Sequence, residues 1–241
     1  MSEAQRPWPD AGRPDPFLDV PDPARYVPRD ACDLALAELT ACVRAPARPC
    51  AVVAPPGLGK TLLLHTLPCL VPELESVYVP NPVLGPADLC AWTLGGLGAA
   101  ASGDPIPVLV AFLEHLARRD RALVWLLDDA HGLPAETALW LRRLHDSHAS
   151  LRLVLGSVDR VPRELGELVR IEALAQPMTR DETRRYLEQR LAAAGAGDLA
   201  PAQDEVEAIH RDSGGVPRAV SARASALFWK GRSWTSLPRV M

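Results

Sequence analysis

The stretch VVAPPGLGKT, residues 52–61, decides the fold. It continues the apolar run that begins at Cys50, breaks that run with Pro55, Pro56, Gly57 and Gly59, and sets Lys60 and Thr61 directly behind the last glycine. An apolar run of five residues without alternation predicts a strand covered on both faces, as in the middle of a parallel sheet. The residues after Gly59, KTLLLHTLPCL, predict a helix that ends at Pro68. Lys60 and Lys230 are the only lysines, and every other one of the 26 basic residues is arginine.

Strand, glycine loop, Lys-Thr and helix in this order form a phosphate-binding loop. Glycines let backbone N–H groups approach an anion, and the helix N-terminus adds its partial positive charge. On this reading Pro56, Gly57, Leu58, Gly59, Lys60, Thr61 and Leu62 surround a nucleotide's phosphates. Lys60 neutralises the β- and γ-phosphates, and the Thr61 hydroxyl holds Mg²⁺. Ala54 stands where the usual pattern has its first glycine. The plain alternative, a Pro-Gly turn that happens to precede a lysine, leaves the flanking strand and helix unexplained.

A phosphate loop needs a carboxylate from a neighbouring strand to hold the metal. RALVWLLDDAH, residues 121–131, supplies an apolar strand ending in two acids. Asp128 is expected to hold Mg²⁺, and Asp129 to polarise the attacking water. The competing reading is a helix cap and its neighbour at a strand end.

The rest of the chain fits an alternation of strands and helices, and hence a parallel sheet with right-handed crossovers. ESVYVP (75–80) and LRLVLGS (151–157) are strand candidates. Helices are expected from Asp30, as N-cap, to about Arg44, from Pro86 to about Leu97, for about 12 residues from Val108, and over PAETALWLRRLHDSHA. GGLGAAASGDPIP (95–107) reads as the most flexible internal piece. After Gln176 the composition turns helical without strands. TRDETRRYLEQRLAAAG has Thr179 and Glu182 in capping-box register, and two further helices follow at about 201–212 and 216–229. The expected organisation is a Pro-rich extended arm on the surface (1–29), a nucleotide-binding domain (30–176) and a small all-helical lid with a short tail (177–241). The fold class is α/β, a P-loop NTPase with its parallel sheet sandwiched by helices.

Composition sets the outer limits. The 241 residues carry a net charge of −4, which gives no support to a general nucleic-acid coat. Five cysteines without CxxC or Cys/His spacing read as reduced thiols, and no signal-peptide core or membrane-length apolar window appears, so a soluble cytoplasmic protein is expected. His131, His145 and His148 lack ligand spacing. Trp125 and Trp140 sit in apolar runs and are expected in the core. Trp229 and Trp234 belong to a C-terminal stretch that reads either as a docking tail or as a frayed end.

APPGLGKT followed by VWLLDDAH resembles an AAA+ ATPase. LRLVLGSVDR, ELVRIEALAQPMTRDETRRYLEQRLAAAGA and IHRDSGGVPRAVSARASAL are similar in order and spacing to the ATPase domain of type II secretion pathway protein A, among the Orc/DEAH-type ATPases that also include transposition ATPases. DPFLDVPDPARYVPRDACDLALAEL matches that family's lead-in, and the resemblance spans roughly residues 16 to 229. It implies ATP and Mg²⁺ as ligands. It also implies Ser157 as a polar sensor, Arg218 in GGVPR as a second sensor on the nucleotide, and Arg170 as a finger acting across a subunit interface. The family usually has glutamate where this chain has Asp129, a carboxylate reaching about 1.5 Å less far. Since a misplacement of about 1 Å can cost on the order of 100-fold in rate, tight binding with slow turnover is expected.

The leading reading is an ATP-driven conformational switch that forms a homo-oligomer or docks on a larger assembly. A non-hydrolysing scaffold and a DNA-associated accessory ATPase are the alternatives. A small-molecule kinase lacks an acceptor-site signature, a helicase lacks room for a second motor domain, and GTP lacks its Asn-Lys-x-Asp motif. The secretion relatives carry a membrane segment and a wall-binding module after the lid, whereas this sequence stops at Met241, which favours a soluble accessory ATPase.

Overall fold

Cys50–Val53 (β1) is buried at every position, as an unbroken apolar run requires if both faces of the sheet are covered. The computed structural model describes residues 15–45, 48–99, 103–197, 199–229 and 234–236. The chain divides into two units. One comprises Asp30–Pro56 and Lys60–Ala175, and the other comprises the described residues before Asp30, Gly57–Gly59 and those from Gln176 onward.

The first unit is built on five parallel strands in the order β2-β3-β4-β1-β5: Glu75–Val79 (β2), Leu123–Leu127 (β3), Leu151–Ser157 (β4) and Val169–Ile171 (β5) with β1. Helices Asp30–Arg44 (α1), Lys60–Leu70 (α2), Pro86–Gly96 (α3), Pro105–Ala117 (α4) and Ala135–Ser147 (α5) cover it. The apolar LVWLL run of β3 is wholly buried, with Trp125 in the core as expected, while Trp140 is half-buried and packs against that core, its ring centroid 6.3 Å from that of Trp125. Because β1 and β3 both flank β4 and run parallel to it, the residues after all three strands emerge at one edge of the sheet. Val53 pairs with Ser157, and Leu127 with Leu155.

Element boundaries differ from the sequence reading in several places, three of them around proline or a helix start. Helix α2 continues through Pro68 to Leu70, because a proline in the last turn removes one hydrogen bond and leaves the preceding turns intact. Helix α4 starts at Pro105, three residues early. The Asp104 carboxylate caps it by accepting from the Ile106 N–H at 3.0 Å, and Pro105 takes the first position, where a missing N–H costs nothing. Of the piece read as flexible, 95–96 and 105–107 are therefore helical, while residues 100–102 lie outside the described set. Asp30 is the first helical residue of α1, not its cap.

The second unit contains Arg180–Ala193 (α6), Gln203–Ser213 (α7) and Pro217–Trp229 (α8). The capping box opens α6 as read: the Thr179 hydroxyl accepts from Glu182 N–H at 3.2 Å, and the Glu182 carboxylate accepts from Thr179 N–H at 2.7 Å. The unit is not strandless. Leu199–Pro201 (β6) pairs antiparallel with Trp234–Ser236 (β7), two three-residue strands too short for a periodic signal. The arm also departs from a surface-lying segment. Phe17 is only 1% exposed and lies in one apolar cluster with Leu187, Leu191, Val220 and Phe228, its ring edge-on to Phe228 at 6.0 Å. The buried Arg190 of α6 donates to the carbonyls of Pro16 (2.7 Å) and Leu18 (2.9 Å), tying down the backbone on both sides of Phe17. Residues 1–14 of the arm, and 230–233 and 237–241 of the tail, lie outside the described residues.

Candidate nucleotide site

The loop after β1 needs its glycines for backbone reasons. Gly57 has φ +81° and Gly59 φ +104°, a region that side chains with a Cβ rarely enter. Lys60 opens α2 and is 6% exposed. Its Nζ donates to the carbonyls of Ala54 (2.7 Å) and Pro55 (3.1 Å), so the ammonium lies against the loop's own backbone. Leu58 is buried, Leu62 half-buried and Pro56 exposed.

Asp128, one residue past β3, is 4% exposed, and its carboxylate is held by three donors. Thr61 Oγ1 donates to Oδ2 at 2.6 Å, the Tyr78 hydroxyl donates to the same oxygen at 3.0 Å, and the Asp129 N–H donates to Oδ1 at 3.0 Å. A buried carboxylate without such donors would be strongly destabilising. The structure thus brings Thr61 and Asp128, 67 positions apart, into direct contact. A hydroxyl and a carboxylate make a hard-oxygen pair suited to Mg²⁺, an ion that takes one or two protein oxygens and completes its shell with phosphate and water. Among the described residues no cluster of three or more His, Cys, Asp or Glu side chains could hold a metal by itself.

Three neighbours of this carboxylate escaped the sequence reading. Gly156 on β4 is one: a Cβ there would lie 2.6 Å from Asp128 Oδ1 and 3.1 Å from Leu64 Cδ1. The other two are Tyr78 and His65, whose rings contact at a tilt of 44° with centroids 4.1 Å apart. Burial, then the Asp128 charge, pushes the Tyr78 hydroxyl well above its usual range, so it stays a donor. Burial lowers the His65 imidazole, against the opposing pull of Asp128. A tyrosine in an apolar strand and a glycine in another carry no chemistry in one dimension, and only strand order brings them to Asp128.

The remaining candidates sit as follows. Asp129 is exposed and holds φ +50°, a left-handed conformation that aspartate tolerates better than most residues and that clusters at functional sites. Ser157 is fully buried and its hydroxyl donates to the Arg160 carbonyl, which fixes the turn after β4. Arg170 lies within β5 opposite Ala51, with its exposed guanidinium on Glu172 at 3.2 Å. In the second unit the Arg218 N–H donates to the Gly57 carbonyl at 3.2 Å, and a Cβ on Gly57 would meet Val216 Cγ1 at 3.0 Å. The Arg218 guanidinium pairs with Asp19 at 2.9 Å.

A parallel sheet with a glycine loop, lysine and threonine after one strand and a buried aspartate after another is the P-loop NTPase fold. Residues 43–159 match the family model described as an AAA domain. Among solved structures, the chain resembles Cdc6p from Pyrobaculum aerophilum (TM-score 0.60, 21% identity, 86% of this chain and 65% of that one). It also resembles the RuvB Holliday junction branch migration motor of Thermotoga maritima (0.58, 18%, 90% and 70%) and the Aeropyrum pernix ORC2 protein (0.59, 14%, 93% and 70%). This chain therefore spans just under two thirds of Cdc6p, and at these identities the likeness is one of fold. No curated protein matches the sequence significantly. Among the described residues no helix is long and apolar enough to cross a membrane.

Proposed function

We propose that this protein is an AAA+ ATPase that binds ATP with Mg²⁺ and works in the cytoplasm as a slow nucleotide-dependent conformational switch. The observation that carries the reading is the 2.6 Å contact between Thr61 and the buried Asp128, each placed by a different strand end. The bound cation would supply charge neutralisation at the phosphates. Lys60 and the backbone of Pro56, Gly57, Leu58, Gly59 and Leu62 would hold the nucleotide, Thr61 and Asp128 the metal, and Asp129 would orient water. Ser157 is proposed at the sensor position, with its hydroxyl acting through the turn it fixes. Arg218 is proposed as the second sensor, supported by its backbone hydrogen bond to Gly57 within the same unit. Arg170 is proposed as a residue acting across a homo-oligomer interface, and the particular likeness to secretion pathway protein A rests on the order of the C-terminal segments.

Calorimetric titration with ATP and magnesium tests this directly. Binding by the wild type and its loss in Lys60→Ala is the expected result, and no heat in the wild type overturns the reading. Hydrolysis per subunit that rises with protein concentration would support a site completed by a second copy. Binding without any turnover, not restored by Asp129→Glu, would instead leave a nucleotide-binding scaffold.

A further inference from the structure

Of the three donors on Asp128, one is assigned a role by the phosphate-loop pattern and one is backbone. The Tyr78 hydroxyl is the third. Tyr78 is fixed from three sides independently of Asp128. It pairs with Leu126 in the β2–β3 ladder, its carbonyl accepts from the Trp92 indole N–H at 3.0 Å, and its ring packs at a tilt against His65, centroids 4.1 Å apart. The hydroxyl is thus delivered by a rigid mount to Oδ2, the oxygen that also receives Thr61. Gly156 lies so close to the other oxygen that a Cβ there would stand 2.6 Å from Oδ1.

We propose that Tyr78 is a positioning residue for the metal site: its hydroxyl holds the Asp128 carboxylate in the orientation that lets Asp128 and Thr61 bind Mg²⁺ together. This rests on the proposed Mg²⁺–nucleotide reading of the site. A merely structural tyrosine would only need some partner for a half-buried hydroxyl. Here the hydroxyl meets Oδ2 of a carboxylate, and among the described residues its loss leaves that oxygen to the Thr61 hydroxyl alone, the group that the metal would also claim. The hydroxyl reaches the site through Asp128 Oδ2, and its effect must pass through that carboxylate.

The test uses the full chain, wild type and Tyr78→Phe, which keeps the ring on His65 and removes only the oxygen. The affinity for a fluorescent ATP analogue is measured with excess Mg²⁺ and again in EDTA, and the ratio of the two is the readout. Loss of one hydrogen bond to a charged group should reduce that ratio about ten-fold, with Asp128→Asn abolishing it. A ratio unchanged in Tyr78→Phe overturns the inference while leaving the site reading in place, even if both affinities fall together. A wild type that binds with a ratio of one, or does not bind, removes the site reading and the inference with it.

Discussion

Gly156→Ala adds a single methyl group at a buried position of β4 and tests whether the Asp128 carboxylate is held where the proposed metal would need it. The new Cβ would stand 2.6 Å from Oδ1, and ordinary contact begins near 3.4 Å, so the carboxylate must withdraw by about 0.8 Å. It has little room to do so, since Thr61 and Tyr78 hold Oδ2 at 2.6 and 3.0 Å and the Asp129 N–H holds Oδ1 at 3.0 Å. Leu64 Cδ1 would stand 3.1 Å from the same Cβ, so the methyl group has little room to shift away from the carboxylate. Overpacking of this kind costs about 1–3 kcal/mol of stability. Breaking one of the bonds to the charged carboxylate costs about 1.5–3 kcal/mol, at least a ten-fold increase in the Mg²⁺ needed for half-maximal tightening of nucleotide binding. Hydrolysis, where it is measurable, should fall on the order of 100-fold for a displacement near 1 Å. Gly95→Ala is the control: it lies in helix α3 with nothing within 4 Å of its Cβ, and should leave the Mg²⁺ midpoint alone while gaining about 0.5–1 kcal/mol. Magnesium titrations of fluorescent-nucleotide binding, with urea unfolding in parallel, give both numbers. A Gly156→Ala protein that is folded and has the wild-type Mg²⁺ midpoint would refute the reasoning.

Four further outcomes are expected. Thr61→Ala should weaken Mg²⁺–nucleotide binding by roughly ten-fold or more while sparing the fold, read by the same titration and by circular dichroism. Arg190→Ala removes two bonds from a buried guanidinium to the Pro16 and Leu18 carbonyls and should cost on the order of 3 kcal/mol, seen as urea destabilisation and faster trypsin cleavage at Arg25. Gly215→Ala should be far worse than Gly214→Ala. Both have positive φ, for about 1–2 kcal/mol of strain, but only Gly215 would drive its Cβ to 2.2 Å from the Met178 carbonyl oxygen, so denaturant midpoints should separate the two variants. The Cys42 thiol is pulled down to about 7 by its hydrogen bond with Cys50, whereas that bond and burial push Cys50 up. Because the shift lowers the pKa, Cys42 should alkylate with iodoacetamide half-maximally near pH 7, below the usual thiol range, and Cys50 should stay unmodified by mass spectrometry.

Local signals in the sequence were strong where the chemistry is local. The phosphate loop spells out its strand, its two left-handed glycines and its lysine within a dozen residues. The capping box of α6 and the acids after β3 are likewise legible within a few positions. Pro105 and Pro68 show the limit of such rules, since a proline reads the same whether it opens a helix, ends one or sits harmlessly in a last turn, and the neighbouring cap decides. Phe17 shows another limit: a proline-rich arm has no periodicity, and only the apolar cluster around Phe228 and the donors of Arg190 give it a place.

The sequence alone therefore determined that a strand, a glycine loop and a helix opening on lysine and threonine would follow one another, and that an aspartate would end a neighbouring apolar strand. Tertiary structure alone decided the company that Asp128 keeps. Strand order sets β2 and β4 on the two sides of β3, so Tyr78 arrives with a hydroxyl and Gly156 with an absence of side chain. Neither residue has a chemical signature in one dimension, because what each contributes is its place beside a carboxylate far away in the chain.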